Sequence, residues 1–283
     1  MMGSDDPVTR SWADRILVLD RRWIYLAVAV AVILPLLFPL GLAIRPSKEA
    51  IAFRDAIAQL EPGSVILFSF DYEADTRAEL DPMSEAIWNE CFRRGLRVVA
   101  LTNYPGGPGV AEPIMRGAAE RQGKAYGVDY VFLGFNPDWS GTMLRLGESF
   151  KATFPRDHSG RPLEQLPLMR EVDSYQNTPL LVSIASSQLA EYWTIWAGGR
   201  FGQKIICGTT AIQAVGIYPY YQTGQVLGFL GGLKGAAEYE RLTAQTGAAT
   251  TGMDAQTTAH ALIAALVVLG NIAYWSQRRA RSG

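Results

Sequence analysis

The chain has 283 residues, of which 48% are hydrophobic and 19% charged, and its formal net charge is −1. This length accommodates one ordinary domain and two membrane segments. The near-zero charge excludes nucleic-acid binding by bulk electrostatic attraction. Two histidines, His158 and His260, and two cysteines, Cys91 and Cys207, are too few and too scattered for a Cys/His zinc site. We expect no metal and no cofactor, and two buried free thiols are favoured over a disulfide, although pairing stays open.

Residues 23–44 read WIYLAVAVAVILPLLFPLGLAI and contain no charged side chain. About 20 apolar residues cross the hydrocarbon core of a bilayer as a helix. Arg22 before this segment and Arg45 after it mark the two interfaces. We predict a transmembrane helix over 23–44 that follows a tail of residues 1–22. A cleaved signal peptide is disfavoured, because the segment is too long and no Ala-x-Ala site precedes Arg45.

A second apolar segment, residues 259–275, reads AHALIAALVVLGNIAYW. Its polar residues would also suit a buried amphipathic helix. A transmembrane helix is favoured because Trp275 closes an aromatic edge that is followed at once by arginines. The Thr/Ala/Gly-rich residues 243–258 are expected to form a flexible linker to this anchor, and residues 276–283 a basic tail.

Two spans place both tails on the same side of the membrane. The tails carry the arginines at positions 10, 15, 21, 22, 278, 279 and 281. The positive-inside rule therefore places both termini in the cytoplasm and the central domain outside it, in a two-pass protein of the inner (cytoplasmic) membrane. The inverted topology stays open, because the flanks of the first helix are nearly balanced in charge.

Residues 45–242 alternate short apolar runs with amphipathic segments. The runs predicted as strands are residues 64–70, 96–102, 129–134, 180–185 and 204–207. The segments predicted as helices are residues 47–60, 82–94, 110–122, 142–153 and 188–197. This alternation indicates the α/β class, with a Rossmann-like, mostly parallel, three-layer domain flanked by the two transmembrane helices. Residues 154–179, with several prolines and little periodicity, are expected to form a long irregular excursion.

In an open parallel sheet, ligands bind at the carboxyl ends of the strands. The candidates for a ligand crevice are therefore the residues after the predicted strands: Asp71, Asn103, Gly106, Gly107, Ser186 and Thr209. The acidic run that begins at Asp71 does not have the spacing of a calcium loop, and a solvated acidic turn is favoured over a cation site. The loop 106–109 matches neither GxGxxG nor a Walker loop, and a plain turn is favoured over an anion cradle.

Ser186 and Ser187 precede a predicted helix, where helix capping explains serines without chemistry. The alternative is a membrane-bound serine hydrolase of the Clp/SppA type, in which a PGG-like loop supplies oxyanion-hole amides and a serine at a helix start attacks. The segment 105–107 reads PGG and resembles that loop. Its general base would be His158 or Lys204. The pattern as a whole favours a role other than catalysis. If the protein is an enzyme, Ser186 and Ser187 are the catalytic candidates.

Residues 218–242 read YPYYQTGQVLGFLGGLKGAAEYERL and are the most unusual part of the chain. Five glycines recur there at helical spacing: Gly224, Gly228, Gly231, Gly232 and Gly235. On a helix they would share one face, which predicts close approach to another helix, either inside the domain or on a neighbouring subunit or membrane helix. The tyrosines just before them would suit an interface or the membrane surface: Tyr218, Tyr220 and Tyr221.

The layout of helix, α/β domain and helix, with GTTAIQAVGIYPYY at 208–221 and GQVLGFLGGLKGAAEYE at 224–240, resembles an uncharacterised bacterial family of membrane-anchored proteins. The resemblance covers the chain from about residue 23 onward. It implies the membrane-anchored architecture and no catalytic residue.

Three functions from different classes follow from these patterns. The first is a structural or scaffolding subunit of a membrane assembly, with the lipid bilayer and either further copies of the chain or other membrane proteins as partners. The second is an extracytoplasmic domain that binds a small ligand as a sensor. The third is the serine hydrolase. The double anchoring and the glycine stripe favour the scaffold.

Overall fold

The computed structural model describes Trp12 and residues 18–282, without the side chains of residues 280–282. The predicted tail arginines Arg10 and Arg15 lie outside the described residues. The chain forms two compact units, one made of residues 43–250 and the other of residues up to 42 together with residues from 251 onward.

The larger unit is an α/β domain, as predicted, built around a six-stranded sheet in the order β3-β2-β1-β4-β5-β6. All neighbouring strands are parallel. The strands are β1 Val65–Asp71, β2 Arg97–Thr102, β3 Tyr130–Phe135, β4 Leu180–Ala185, β5 Ile205–Thr209 and β6 Phe229–Gly231. The first five match the sequence prediction to within two residues at each end, whereas β6 was not predicted.

The helices connect the strands and extend beyond the domain at both ends. They are α1 Arg21–Leu37, α2 Lys48–Ala58, α3 Arg77–Arg93, α4 Gly107–Gln122, α5 Trp139–Arg145, α6 Phe150–Thr153, α7 Pro167–Glu171, α8 Leu189–Trp193, α9 Gly199–Phe201, α10 Ala214–Gln222, α11 Gly232–Leu242 and α12 Ala248–Ser282. A π-helical turn, Thr194–Gly198, joins α8 to α9. The predicted excursion contains short helical turns and α7.

The sheet is the middle of three layers because its strands are apolar on both faces. Phe68 and Phe70 of β1 contact Trp88 of α3 on one face. Val65 and Leu67 join the core on the other face, together with Trp193 of α8. The two free cysteines, Cys91 and Cys207, are both buried, which confirms the favoured prediction of unpaired thiols.

The predicted glycine-faced helix over 218–242 is wrong, because this segment contains the end of α10, the strand β6 and α11. Gly224 and Gly232 have φ of +77° and +59°, a left-handed conformation that ends or precedes helices and favours glycine. Gly228 precedes β6, and a Cβ there would lie 2.2 Å from the backbone nitrogen of Phe53. Gly231 belongs to β6, and Gly235 of α11 contacts the Leu230 backbone. The five glycines therefore serve turns and close contacts inside the domain, not one exposed helix face.

In the smaller unit, α1 and α12 are joined by specific hydrogen bonds. The carboxylate of Asp254 accepts the backbone N–H groups of Leu40, Gly41 and Leu42 at 2.8, 2.8 and 3.0 Å. The Thr258 hydroxyl donates to a backbone carbonyl of α1 at 2.6 Å. The chain that leaves α1 is thereby held against the first half of α12.

The helix α12 begins at Ala248, so the predicted flexible linker over 243–258 is wrong from residue 248 onward. The buried carboxylate of Glu240 accepts the N–H groups of Ala249 and Thr250 at 3.0 and 2.8 Å. This interaction caps the first turn and outweighs the low helix propensity of the Thr- and Gly-rich sequence.

Among the described residues, α12 is the one helix long and apolar enough to cross a membrane: within Ala248–Arg279, an 18-residue window has a mean hydropathy of 1.6. The second predicted span, residues 259–275, lies inside it. The first is shorter than predicted: α1 ends at Leu37 instead of continuing to residue 44. Pro39 explains the end, because a residue before proline disfavours helical backbone. At 1.5 Å per residue, α1 measures roughly 25 Å, less than the ~30 Å core of a bilayer.

Candidate functional site

The strand order reverses between β1 and β4. From β1 the chain proceeds outward through β2 to β3, and from β4 it proceeds the other way through β5 to β6. The chain leaves β1 towards α3 on one face and leaves β4 towards α8 on the other. Such a switch point opens a crevice at the carboxyl ends of the two strands, which is where α/β proteins bind ligands.

Asp71, the last residue of β1, occupies this point and is fully buried. Its Oδ1 accepts the backbone N–H of Asn103 at 2.8 Å. Its Oδ2 accepts the Ser69 hydroxyl at 2.6 Å and the indole Nε1–H of Trp193 at 2.8 Å. One carboxylate therefore connects β1, the end of β2 and α8.

Burial raises the pKa of Asp71 above its ordinary value of 3.8, because desolvation penalises the charged form. The hydrogen bonds from Ser69, Asn103 and Trp193 oppose this effect without cancelling it. Asp71 is therefore a buried acid that is more easily protonated than a surface aspartate.

On β4 and β5 and in the loop after β2, several buried polar atoms have no hydrogen-bond partner within the described part of the chain. The side chain of Asn103 is 6% exposed, and neither its Oδ1 nor its Nδ2 is hydrogen-bonded, although the amide is close enough to lower the pKa of Asp71. The hydroxyls of Ser183 and Thr209 are also buried and unpaired. We call Ser69, Asp71, Asn103, Ser183 and Thr209 the strand-end cluster. These four unpaired atoms are half of the eight buried, unpaired side-chain atoms in the described part of the chain.

The predicted glycine loop after β2 is closely packed. A Cβ on Gly107 would lie 2.0 Å from the Thr102 hydroxyl and 2.9 Å from the Phe70 carbonyl, and one on Gly106 would meet the Glu73 side chain. The two glycines therefore let the loops after β1 and β2 approach each other, and they position Asn103 next to Asp71.

Ser186 and Ser187 follow β4 at the carboxyl end of the sheet. The Ser186 N–H donates to the Asp71 carbonyl at 3.2 Å, and the Ser187 hydroxyl accepts the N–H of Leu189 at 3.4 Å in the turn before α8. Both side chains are half-buried.

The bases considered for a serine hydrolase lie far from these serines. Lys204 precedes β5 and lies at the end of the sheet opposite Ser186. Five pairs of residues of β4 and β5 separate the two positions, which corresponds to roughly 20 Å. His158 lies next to Phe132 of β3, three strands from β4, and contacts Glu112 at 2.9 Å. The structure thus does not bring Ser186 or Ser187 together with either base.

No group of three or more His, Cys, Asp or Glu side chains in the described residues could hold a metal ion. The predicted acidic run is split, because Asp71 is buried beside Trp193 while Asp75 is exposed in a short 3₁₀ turn.

Sequence reasoning missed Trp193, Ser69 and Ser183, which lie within a helix and two strands. The alternation of side chains along a strand places Ser69 and Asp71 on the same face, and this period-two pattern was the available signal. The π-helical turn after Trp193, a feature often found at functional sites, has no sequence signature of comparable strength.

Comparison with protein-family models, with curated proteins and with solved structures finds no match to this chain. The resemblance to a bacterial membrane-anchored family stays a prediction.

Proposed function

We propose that this protein is a membrane-anchored, ligand-binding protein whose α/β domain binds a small polar ligand at the strand-end cluster. The observation that carries the proposal is the unpaired carboxamide of Asn103 beside the buried carboxylate of Asp71 at the switch point. A buried polar group without a partner costs about 1–3 kcal/mol, and a bound ligand removes that cost.

The chemistry of the cluster defines the class of ligand. Asn103 offers a donor and an acceptor, and the hydroxyls of Ser183 and Thr209 offer both. Two acidic side chains lie near the ends of β1 and β5: Glu73 follows β1, and Glu79, in the first turn of α3, accepts the N–H of Ala211 at 2.9 Å. These features favour a neutral or cationic ligand that carries hydroxyl, amide or amine groups over a phosphorylated one.

The last loop of the α/β domain packs against α3. Residues 243–245 lie against Arg93 and Ala86 of α3. Helix α3 follows β1 and runs antiparallel to the strands. Its last residue, Arg93, therefore lies at the amino-terminal edge of the sheet. The strand-end cluster is at the opposite edge.

Membrane anchoring by two helices belongs to this proposal. The apolar side chains of α1 and α12, such as Leu37 at 67% and Val267 at 57% exposure, have no cover within the described residues, which suits contact with lipid. The arginines of the tails support cytoplasmic termini and an extracytoplasmic domain.

The scaffold is the second candidate. The glycine-faced helix no longer supports this function. An exposed apolar pair does: Ile212, just before α10, and Val215, within it, are 85% and 77% exposed. Such a pair suits self-association or contact with another membrane protein. Of the predicted interface tyrosines, Tyr218 is exposed, while Tyr221 contacts Phe229 and Tyr220 packs on the core.

Thermal unfolding of the detergent-solubilised protein tests the proposal against a panel of polyols, amino acids, amines and nucleosides. A ligand that binds only the folded state raises the melting temperature by mass action. The rise should disappear in Asn103→Ala and persist in Asn89→Ala, a half-buried asparagine of α3. A panel without any shift, or a shift that persists in Asn103→Ala, would contradict the assignment.

A further inference from the structure

A cavity of about 280 Å³ lies at the β3 edge of the sheet, between α4, β3 and the loop that contains His158. Its inner wall is formed by Tyr130 and Phe132 of β3 and by Met115 of α4. Tyr130 contacts Trp88 of α3, so this cavity is on the α3–α4 face of the sheet. The strand-end cluster faces α8 and is separate from it.

The loop over the cavity is fixed in place by both of its neighbours. The N–H of His158 donates to the Phe132 carbonyl at 2.9 Å, and its Nε2 is 2.9 Å from Glu112 Oε1 of α4. Gly134 has φ of +98°, and a Cβ there would lie 3.3 Å from His158 Nδ1, so glycine permits this close approach. Contacts within the domain therefore hold the loop that covers the cavity.

Two guanidinium groups line the cavity with N–H donors to spare. Arg161 lies over the ring of Tyr126, with its Cζ at 4.4 Å from the ring centroid, and its Nε is 3.2 Å from the buried carboxylate of Asp157. These contacts hold the guanidinium plane, while its terminal nitrogens have no hydrogen-bond partner among the described residues. Arg116 is the second, and no carboxylate of the described residues lies within 4 Å of its guanidinium group.

We propose that this edge cavity binds a small aromatic carboxylate. A single ring packs against Phe132, Tyr130 and Met115, since offset and edge contacts between aromatic rings are favourable. The carboxylate accepts hydrogen bonds from Arg116, because guanidinium and carboxylate match in a two-point geometry. The volume is at the lower end of small-molecule sites, which limits the ligand to about one ring.

Isothermal titration calorimetry of the full-length protein in detergent tests this site, with benzoate and 4-hydroxybenzoate as probes. Benzamide has the shape of benzoate without its charge, and acetate has the charge without the ring. We expect saturable binding of at least one aromatic carboxylate, and at least tenfold weaker binding of benzamide and acetate. Arg116→Gln should weaken the binding at least fivefold. Arg170→Gln, which changes an exposed arginine of α7 outside the cavity, should leave it unchanged.

A second variant, Met115→Trp, fills the cavity and should abolish binding without removing a charge. The melting temperature of each variant shows whether it is folded. The proposal is overturned if neither aromatic carboxylate binds the wild-type protein. It is also overturned if folded Arg116→Gln, or folded Met115→Trp, binds the probe as tightly as the wild type. Because Asn103 is on the other face, Asn103→Ala should leave benzoate binding unchanged, which separates this site from the strand-end cluster.

Discussion

The indole Nε1 of Trp193 lies 2.8 Å from the Oδ2 of Asp71, and this hydrogen bond joins α8 to the end of β1 across the switch point of the sheet. Both side chains are fully buried. The bond therefore joins the two sides of the switch point, and it holds the Asp71 carboxylate of the strand-end cluster in place.

Trp193→Phe should lower the free energy of unfolding by about 2 kcal/mol or more, because it leaves a buried carboxylate short of a donor and removes buried surface. Trp196→Phe is the matched control, since Trp196 is only half-buried. Urea unfolding in detergent measures both. Equal losses in the two variants would show that the hydrogen bond to Asp71 contributes nothing specific.

The pH dependence of stability should carry the signature of Asp71. Its pKa is raised in the folded state, so its contribution to stability is fully present below the unfolded value of 3.8 and is lost as the pH rises through the folded pKa. Asp71→Asn does not titrate. Its stability relative to the wild type should therefore increase from about pH 4 towards pH 7, by at most about 1.4 kcal/mol per pH unit. A difference independent of pH would mean that burial does not raise this pKa.

Much of this fold could be predicted from the sequence because its strands are short apolar runs that alternate with helices. The run over 180–185 matches β4 residue for residue. The glycines over 224–235 led to the wrong prediction of a glycine-faced helix, because their spacing alone does not distinguish a helix face from turns. Two of them have positive φ, which helix periodicity cannot reveal, and Gly228 is required by a backbone neighbour more than 170 positions earlier in the chain, Phe53.

The candidate site was predicted only in part, for a related reason. Asp71 and Thr209 end strands, Asn103 follows one, and all three were found by the rule for strand ends. Trp193 comes to Asp71 from a helix distant in sequence, through packing that no local pattern records. The helix start at Ala248 likewise depends on the capping carboxylate of Glu240, which outweighs local propensity.

Gly228→Ala should destabilise the domain by about 2 kcal/mol or more, because the added Cβ would clash with the backbone of α2. Gly109→Ala is the control: a Cβ there meets nothing within 4 Å, and alanine favours the helix α4. Thermal unfolding separates the two. If Gly228→Ala kept the stability of the wild type but changed the oligomer, the glycine would serve an intermolecular contact after all.

Asp254→Ala should free the segment that follows α1. The three N–H groups of Leu40, Gly41 and Leu42 lose their shared acceptor, so their hydrogen exchange should accelerate at least tenfold. Gln256→Ala, an exposed change on the same helix, should leave it unaltered. Exchange followed by mass spectrometry gives the answer, and unaltered protection in Asp254→Ala would remove this carboxylate from the link between α1 and α12.

Labelling with a membrane-impermeant maleimide tests the two-pass topology in intact cells. The native cysteines are buried, so introduced cysteines report alone. Gln176→Cys, exposed on the domain, should be labelled, while Ser276→Cys, beyond the second span, should react only after the membrane is permeabilised. The reverse pattern would place the domain in the cytoplasm.

The most direct test of ligand binding at the strand-end cluster is native mass spectrometry of the full-length protein extracted from membranes in mild detergent, compared with Asn103→Ala. We predict that the wild-type protein carries a defined additional mass, corresponding to a small polar molecule, and that folded Asn103→Ala lacks it. The bare chain mass in the wild type after exposure to a cell extract, or the same additional mass in both proteins, would contradict the account.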